Sequence, residues 1–122
     1  MPANHTVLVC DDAPYMRKLV RRILEQGGYE VVGEAETGRE AVEKYQVLRP
    51  DVVTMDLVMS DIGGLEAVRA IKEFDARARI LVCSAMAQQS LVAEVLAAGA
   101  SHFIVKPFQP SHLLEAVEHA LA

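Results

Sequence analysis

Five polar residues stand at the ends of short apolar runs. Asp11 and Asp12 follow Val7-Leu8-Val9-Cys10, Asp56 follows Val52-Val53-Thr54-Met55, Ser84 follows Ile80-Leu81-Val82-Cys83, and Lys106 follows Phe103-Ile104-Val105. Three carboxylates brought into one crevice would repel one another and resist ionisation unless a cation intervened. A hard divalent ion resolves that conflict. Mg²⁺ takes oxygen ligands, keeps several waters and uses one or two carboxylates plus a substrate phosphate, which suits an open site better than a Ca²⁺ cage; Mn²⁺ can replace it. With a hydroxyl at Ser84 and an ammonium at Lys106, the set holds a nucleophilic carboxylate, metal ligands, a donor and a cation, the parts that phosphoryl transfer requires. Taken singly, each has a plainer reading: Asp11-Asp12 as a solvated turn or cap, Ser84 as a cap, Lys106 as a surface lysine. The combination carries the argument.

The elements that must position these groups are legible as alternation. The apolar runs are Val7 to Cys10, Val31-Val32 with its flanks, Val52 to Met55, Ile80 to Cys83 and Phe103 to Val105; they are continuous and rich in β-branched residues, as strands of a parallel sheet covered on both faces are. Between and after them apolar residues recur three and four apart. The stripes are Met16, Leu19, Val20, Ile23 and Leu24; Val42, Tyr45 and Leu48; Leu65, Val68 and Ile71; Leu91, Val92, Val95 and Leu96; and Leu113, Leu114, Val117 and Leu121. Each predicts a helix that buries one face. Pro14 and Pro110 suit first helical turns, Thr37 with Glu40 fits a capping box, and Gly27-Gly28 and Gly99 fall where a left-handed residue ends a helix. A (βα)₅ alternation with right-handed crossovers makes an α/β doubly wound three-layer sandwich around a parallel sheet. Ligands of such sheets bind at the carboxyl ends of the strands, where the five polar residues lie.

The chain has 122 residues, 52% of them hydrophobic and 24% charged, which fits one domain spanning 1–122 with a core that needs no disulfide or structural metal. Trp is absent and Ala occurs 17 times, so the core must be aliphatic. The net charge is −5, and the basic residues are scattered with no run longer than the pairs Arg17-Lys18 and Arg21-Arg22, so direct binding of nucleic acid is not expected. Cys10 and Cys83 each close an apolar run and read as free buried thiols of a reduced, cytoplasmic protein. No signal segment or membrane span is visible, and a monomer is expected.

The stretches Val-Leu-Val-Cys-Asp11-Asp12, Val-Thr-Met-Asp56-Leu-Val-Met, Val-Cys-Ser84-Ala85 and Phe103-Ile-Val-Lys106-Pro107-Phe108 together resemble the response-regulator receiver domain, in family order and over the whole chain. Gly33 to Tyr45, Cys83 to Met86 and Phe103 to Pro110 are most similar to stand-alone chemotaxis regulators of the CheY type. The resemblance implies a flavodoxin-like sheet of strand order 2-1-3-4-5. It makes Asp56 the phosphoacceptor, Asp12 a direct Mg²⁺ ligand, Asp11 a ligand through water and the carbonyl of Val58 a further ligand. Lys106 would contact the phosphoryl group, Ser84 and Phe103 would be the switch pair, and Lys106-Pro107 would be cis. The implied partners are a CheA-like sensor histidine kinase, an effector such as the flagellar motor switch, which would bind the fourth helix, fifth strand and fifth helix, and a separate phosphatase. Two departures stand out: Ser60 where the family commonly has Pro, and Gly63-Gly64 where it often has Asn-Gly, which predicts a more mobile loop after Asp56.

Other classes fit less well. A phosphatase or phosphomutase of the haloacid dehalogenase type needs a second Asp two residues after the nucleophile, and Val58 stands there. A flavodoxin-like cofactor module needs a first loop that attracts an anion, and Asp11-Asp12 repels one. The receiver half of a longer transcription regulator stays open at this point. His102, His112 and His119 read as solvated helix positions, and Met55, Met59 and Met86 as packing.

Overall fold

A computed structural model describes residues 5–122. Five strands alternate with five helices: β1 (Thr6–Cys10), α1 (Pro14–Gln26), β2 (Glu30–Ala35), α2 (Gly38–Leu48), β3 (Val52–Asp56), α3 (Gly64–Phe74), β4 (Ile80–Ser84), α4 (Gln89–Ala97), β5 (His102–Val105) and α5 (Pro110–Leu121). Every strand pairs in parallel, in the order β2-β1-β3-β4-β5. All carboxyl ends therefore reach one rim.

Period-two alternation divides the core in two. Leu8, Cys10, Val53, Met55, Ile80 and Val82 face α2, α3 and α4, whereas Val7, Val9, Val52, Leu81, Cys83 and Ile104 face α1 and α5. The two cysteines thus lie on opposite faces of the sheet and are free, as expected. Burial pushes the Cys83 thiol up to about 12 and the Cys10 thiol higher still.

The helix punctuation agrees with the sequence, with one adjustment. Pro14 and Pro110 open their helices, and Gly28 and Gly99 are left-handed at φ 91° and 112°. Thr37 caps α2 by accepting from the Glu40 amide at 3.1 Å. Glu40 returns its carboxylate to the amide of Glu36 at 2.7 Å, one residue earlier than a reciprocal capping box requires.

Three apolar expectations need correction. Leu48 and Leu96, read as buried, are 38% and 44% exposed, and α4 buries only Val95. Val105, read as covered on both faces, is exposed because β5 is an edge strand with one neighbour. His102, read as a helix position, opens β5 and stacks on His119 of α5 with ring centroids 5.6 Å apart.

Candidate functional site

The strand order carries the site. Because β1 lies beside β3, with Cys10 opposite Met55, the next residues along the two strands, Asp11 and Asp56, meet at the rim. One carboxylate oxygen from each of Asp11, Asp12 and Asp56 lies within 4.8 Å of the others. Asp11 and Asp56 are buried and Asp12 is exposed, so the cluster has a protected floor and an open mouth. Lys106 follows β5, and its amide continues the ladder by donating to the Ser84 carbonyl at 2.9 Å. Its stem then reaches over the sheet end, and Nζ lies 2.7 Å from Asp11 Oδ2 and 3.5 Å from Asp56 Oδ2. One ammonium bridges two buried carboxylates.

Burial raises the Asp56 pKa from its ordinary value; Lys106 opposes the rise, and the charges of Asp11 and Asp12 add to it. Desolvation acts to lower the Lys106 pKa, but the hydrogen bond to Asp11 and the charge of Asp56 together outweigh it, so the net shift is upward. With all three acids ionised, one ammonium leaves two negative charges uncompensated. A hard divalent cation matches both that charge and the all-oxygen donor set.

The local backbone is fixed by fit. A Cβ on Gly64 would stand 2.1 Å from the Asp56 carbonyl oxygen, so α3 can press against the acid's own backbone only with glycine there. The Gly64 amide donates to the Leu57 carbonyl at 3.0 Å. The loop from Asp56 to α3, expected to be mobile, is tied to the start of α2: Ser60 bridges to Thr37, and the Arg39 amide donates to Asp61 Oδ1 at 3.1 Å. A Cβ on Gly38 would meet the Ile62 carbonyl at 2.1 Å, which shows how closely the two segments pack. Ser60 and Gly63 therefore do not leave the loop unsupported.

The remaining residues singled out by sequence take different places. Val58 donates a long 3.5 Å hydrogen bond from its amide to Asp56 Oδ1, while its side chain is 56% exposed. The Ser84 hydroxyl is buried at the rim and accepts from the Met86 amide at 3.1 Å. Phe103 packs partly buried against the core on the α2, α3 and α4 side. Lys106-Pro107 is cis. An apolar groove of about 410 Å³ lies between α1 and the loop after β5, lined by Tyr15, Met16, Leu19, Ala85, Pro107 and Phe108 with Lys106 at one side. Sequence reasoning missed Arg17, whose Nη1 donates to the Asp11 carbonyl at 2.7 Å. In the sequence it stands only as one of the chain's basic residues.

Residues 7–118 match the family described as the response regulator receiver domain. The chain belongs to the receiver domain family. It is 54% identical over 111 residues to the chemotaxis protein CheY of Thermotoga maritima, covering 91% of this chain and 92% of that protein. It is 51% identical over 117 residues to CheY of Bacillus subtilis, covering 96% and 98%. Among solved structures, the CheX-CheY-BeF3-Mg²⁺ complex from Borrelia burgdorferi superposes with a TM-score of 0.94 at 33% identity, covering 97% of this receiver and 90% of that chain. A receiver of this type is a signalling switch, and its strand order and acidic rim are those the sequence resemblance implied.

Proposed function

We propose that this CheY-type response regulator, as one domain over residues 1–122, takes a phosphoryl group onto Asp56 from a phosphohistidine of a CheA-like sensor kinase. The observation that carries the reading is the Lys106 ammonium held between Asp11 and Asp56 at 2.7 and 3.5 Å. It ties the nucleophile to a side-chain cation able to meet the incoming phosphoryl oxygens. An Asp56 oxygen attacks phosphorus in line, the O–P bond forms as the P–N bond breaks, and the imidazole leaves. Lys106 neutralises charge that spreads onto the equatorial oxygens.

The carboxylates of Asp11, Asp12 and Asp56 and the carbonyl of Val58 are the proposed holders of Mg²⁺, or Mn²⁺ in its place. When bound, the ion supplies Lewis-acid neutralisation of phosphoryl oxygens. Ser84 gives up its Met86 amide contact to meet the new oxygens, and Phe103 moves into the space it leaves. The face formed by α4, β5 and α5 then binds an effector such as the flagellar motor switch. The Borrelia complex, which joins CheX to a CheY, supports a protein partner of the CheX kind, and a separate phosphatase completes the proposed set of partners. A cytoplasmic location fits a chain in which no helix among the described residues is long and apolar enough to cross a membrane.

Intact mass after incubation with acetyl phosphate and Mg²⁺ tests the assignment. Wild type gains one phosphoryl mass and Asp56→Asn gains none, because the amide lacks the charge and nucleophilicity to form an acyl phosphate. Stable phosphorylation of Asp56→Asn at another residue would overturn it.

A further inference from the structure

The loop between β1 and α1 is held from behind by a side chain for which the phosphotransfer reading has no role. Arg17 sits in the opening turns of α1 with 15% of its side chain exposed. Nη1 donates to the Asp11 carbonyl at 2.7 Å, Nε donates to Glu34 Oε1 at 3.1 Å, and Nη2 lies 3.9 Å from Glu36 Oε2. Glu34 is fixed in its turn, because its other oxygen accepts from Arg21 Nη1 at 2.7 Å and its carbonyl accepts from Lys44 of α2. The Asp11 amide donates to the Ala35 carbonyl at 3.0 Å, so a second bond joins the same loop to β2.

The carbonyl that Arg17 grips belongs to the peptide joining Asp11 to Asp12. Fixing that plane constrains the backbone from which the two carboxylates project. A guanidinium is suited to this because its donors are set in a rigid planar fork, whereas an ammonium on a flexible stem can grip one oxygen but cannot hold the angle between two. Groups that orient metal ligands from outside the coordination shell commonly change affinity roughly 10–100-fold when removed.

We propose that Arg17 is a positioning residue for the divalent-cation site, holding the Asp11–Asp12 peptide at the angle the cation needs by bracing it against Glu34 on β2. The inference rests on the reading that the acidic rim binds a divalent cation. It has a distinctive sign. A positive charge near a cation site weakens binding by Coulomb repulsion, so if Arg17 acted only as a charge, its removal would tighten binding. As a brace, its removal loosens it.

Free Mn²⁺ measured by electron paramagnetic resonance during titration of the unphosphorylated full chain separates these cases, using Arg17→Ala and Arg17→Lys. The brace predicts that both variants bind Mn²⁺ at least about tenfold more weakly than wild type. Arg17→Lys keeps the charge and the packed stem, so it also covers the case in which Arg17→Ala fails to fold. Denaturant midpoints without metal serve as the parallel readout: a merely structural role would lower the midpoint and leave the Mn²⁺ affinity alone. Tighter binding by Arg17→Ala, or wild-type affinity in Arg17→Lys, would overturn the brace while leaving the cation reading intact. A wild type that binds no Mn²⁺ would overturn the cation reading and the brace with it.

Discussion

Two of the helices that leave the functional rim are built differently. α3 begins after the loop that follows Asp56, buries Gly64, Ala67, Val68 and Ile71, and starts with a glycine pressed against the Asp56 backbone. α4 begins after the loop that follows Ser84, buries only Val95, and is preceded by Ala85 to Gln88, all exposed, with no side-chain cap at Gln88. The proposed charge chemistry is thus anchored on the better-buried side of the rim, while Ser84, the hydroxyl proposed to answer it, sits at the root of the helix that buries least. A switch needs that asymmetry: the nucleophile must hold still during in-line attack, and the readout must come from an element whose local opening costs little.

The contrast is tested most strongly by truncating one apolar residue on each helix. Ile71→Ala removes a fully buried side chain and is expected to cost about 2–5 kcal/mol in urea unfolding. Leu96→Ala removes a side chain that is 44% exposed and should change stability by no more than about 0.5 kcal/mol. Comparable losses in the two variants would show α4 to be as firmly packed as α3 and would remove the asymmetry.

The difference between these helices was not legible in the sequence. Leu91, Val92, Val95 and Leu96 repeat at helical spacing as clearly as Leu65, Val68 and Ile71, and periodicity alone cannot say whether a stripe finds a sheet wide enough to cover it. α4 packs near β5, an edge strand of four residues, so its stripe overhangs the sheet. The strand runs, by contrast, reported the central sheet faithfully, since Val52 to Met55 and Ile80 to Cys83 are buried on both faces. The convergence of Asp11, Asp12, Asp56 and Lys106 was legible because all stand at or just after the carboxyl ends of parallel strands. Arg17 was not, because its partners are a carbonyl and carboxylates on other elements, and such contacts leave no spacing in the chain.

A smaller effect separates two carboxylates at opposite ends of the charge scale. Burial raises Asp56 above its ordinary 3.8, so the folded state binds that proton more tightly than the unfolded state. That contribution to stability is complete below 3.8 and is lost as pH rises through the folded value, leaving the metal-free protein at neutral pH with a strained anion. Asp56→Asn should therefore be more stable than wild type at pH 7 without metal, with the gap closing toward acid pH. Glu34 goes the other way. Hydrogen bonds from Arg21 and then Arg17 outweigh its burial and hold it below 4.5, so its contribution is present above that value and is lost as pH falls through the folded one. Glu34→Gln should be less stable than wild type at pH 7. Denaturant unfolding of the three proteins at pH 7 and at acid pH checks the signs; a destabilised Asp56→Asn at pH 7 would show that Lys106 compensates the anion fully.

The smallest expected effect concerns how long the proposed phosphorylated state of Asp56 lasts. Hydrolysis of the acyl phosphate needs a water in line behind phosphorus; its oxygen bonds to phosphorus as the bond to Asp56 breaks, giving inorganic phosphate and the free carboxylate. The side chains two residues after Asp56 and two after Ser84 stand at the mouth of the site. They are Val58 and Met86, 56% and 41% exposed. Neither can accept or donate a hydrogen bond strong enough to orient that water, and both set apolar bulk where an ordered water needs polar partners. Val58 is on the loop tied to α2, whereas Met86 is on the loose segment before α4, so only the first can act as a fixed wall. The double variant Val58→Asn, Met86→Glu is expected to lose its phosphoryl group faster than wild type, by roughly fivefold, on the order of 1 kcal/mol of barrier. Val58→Asn alone should supply most of the change, because a polar group on the anchored loop can hold a water at a constant angle and one on the loose segment cannot. Following the decay of both variants and the wild type in Mg²⁺ checks this. An unchanged or longer lifetime in the double variant would mean that the two side chains only pack the mouth, and a change carried by Met86→Glu would mean that the loop before α4 is held as firmly as the loop before α3.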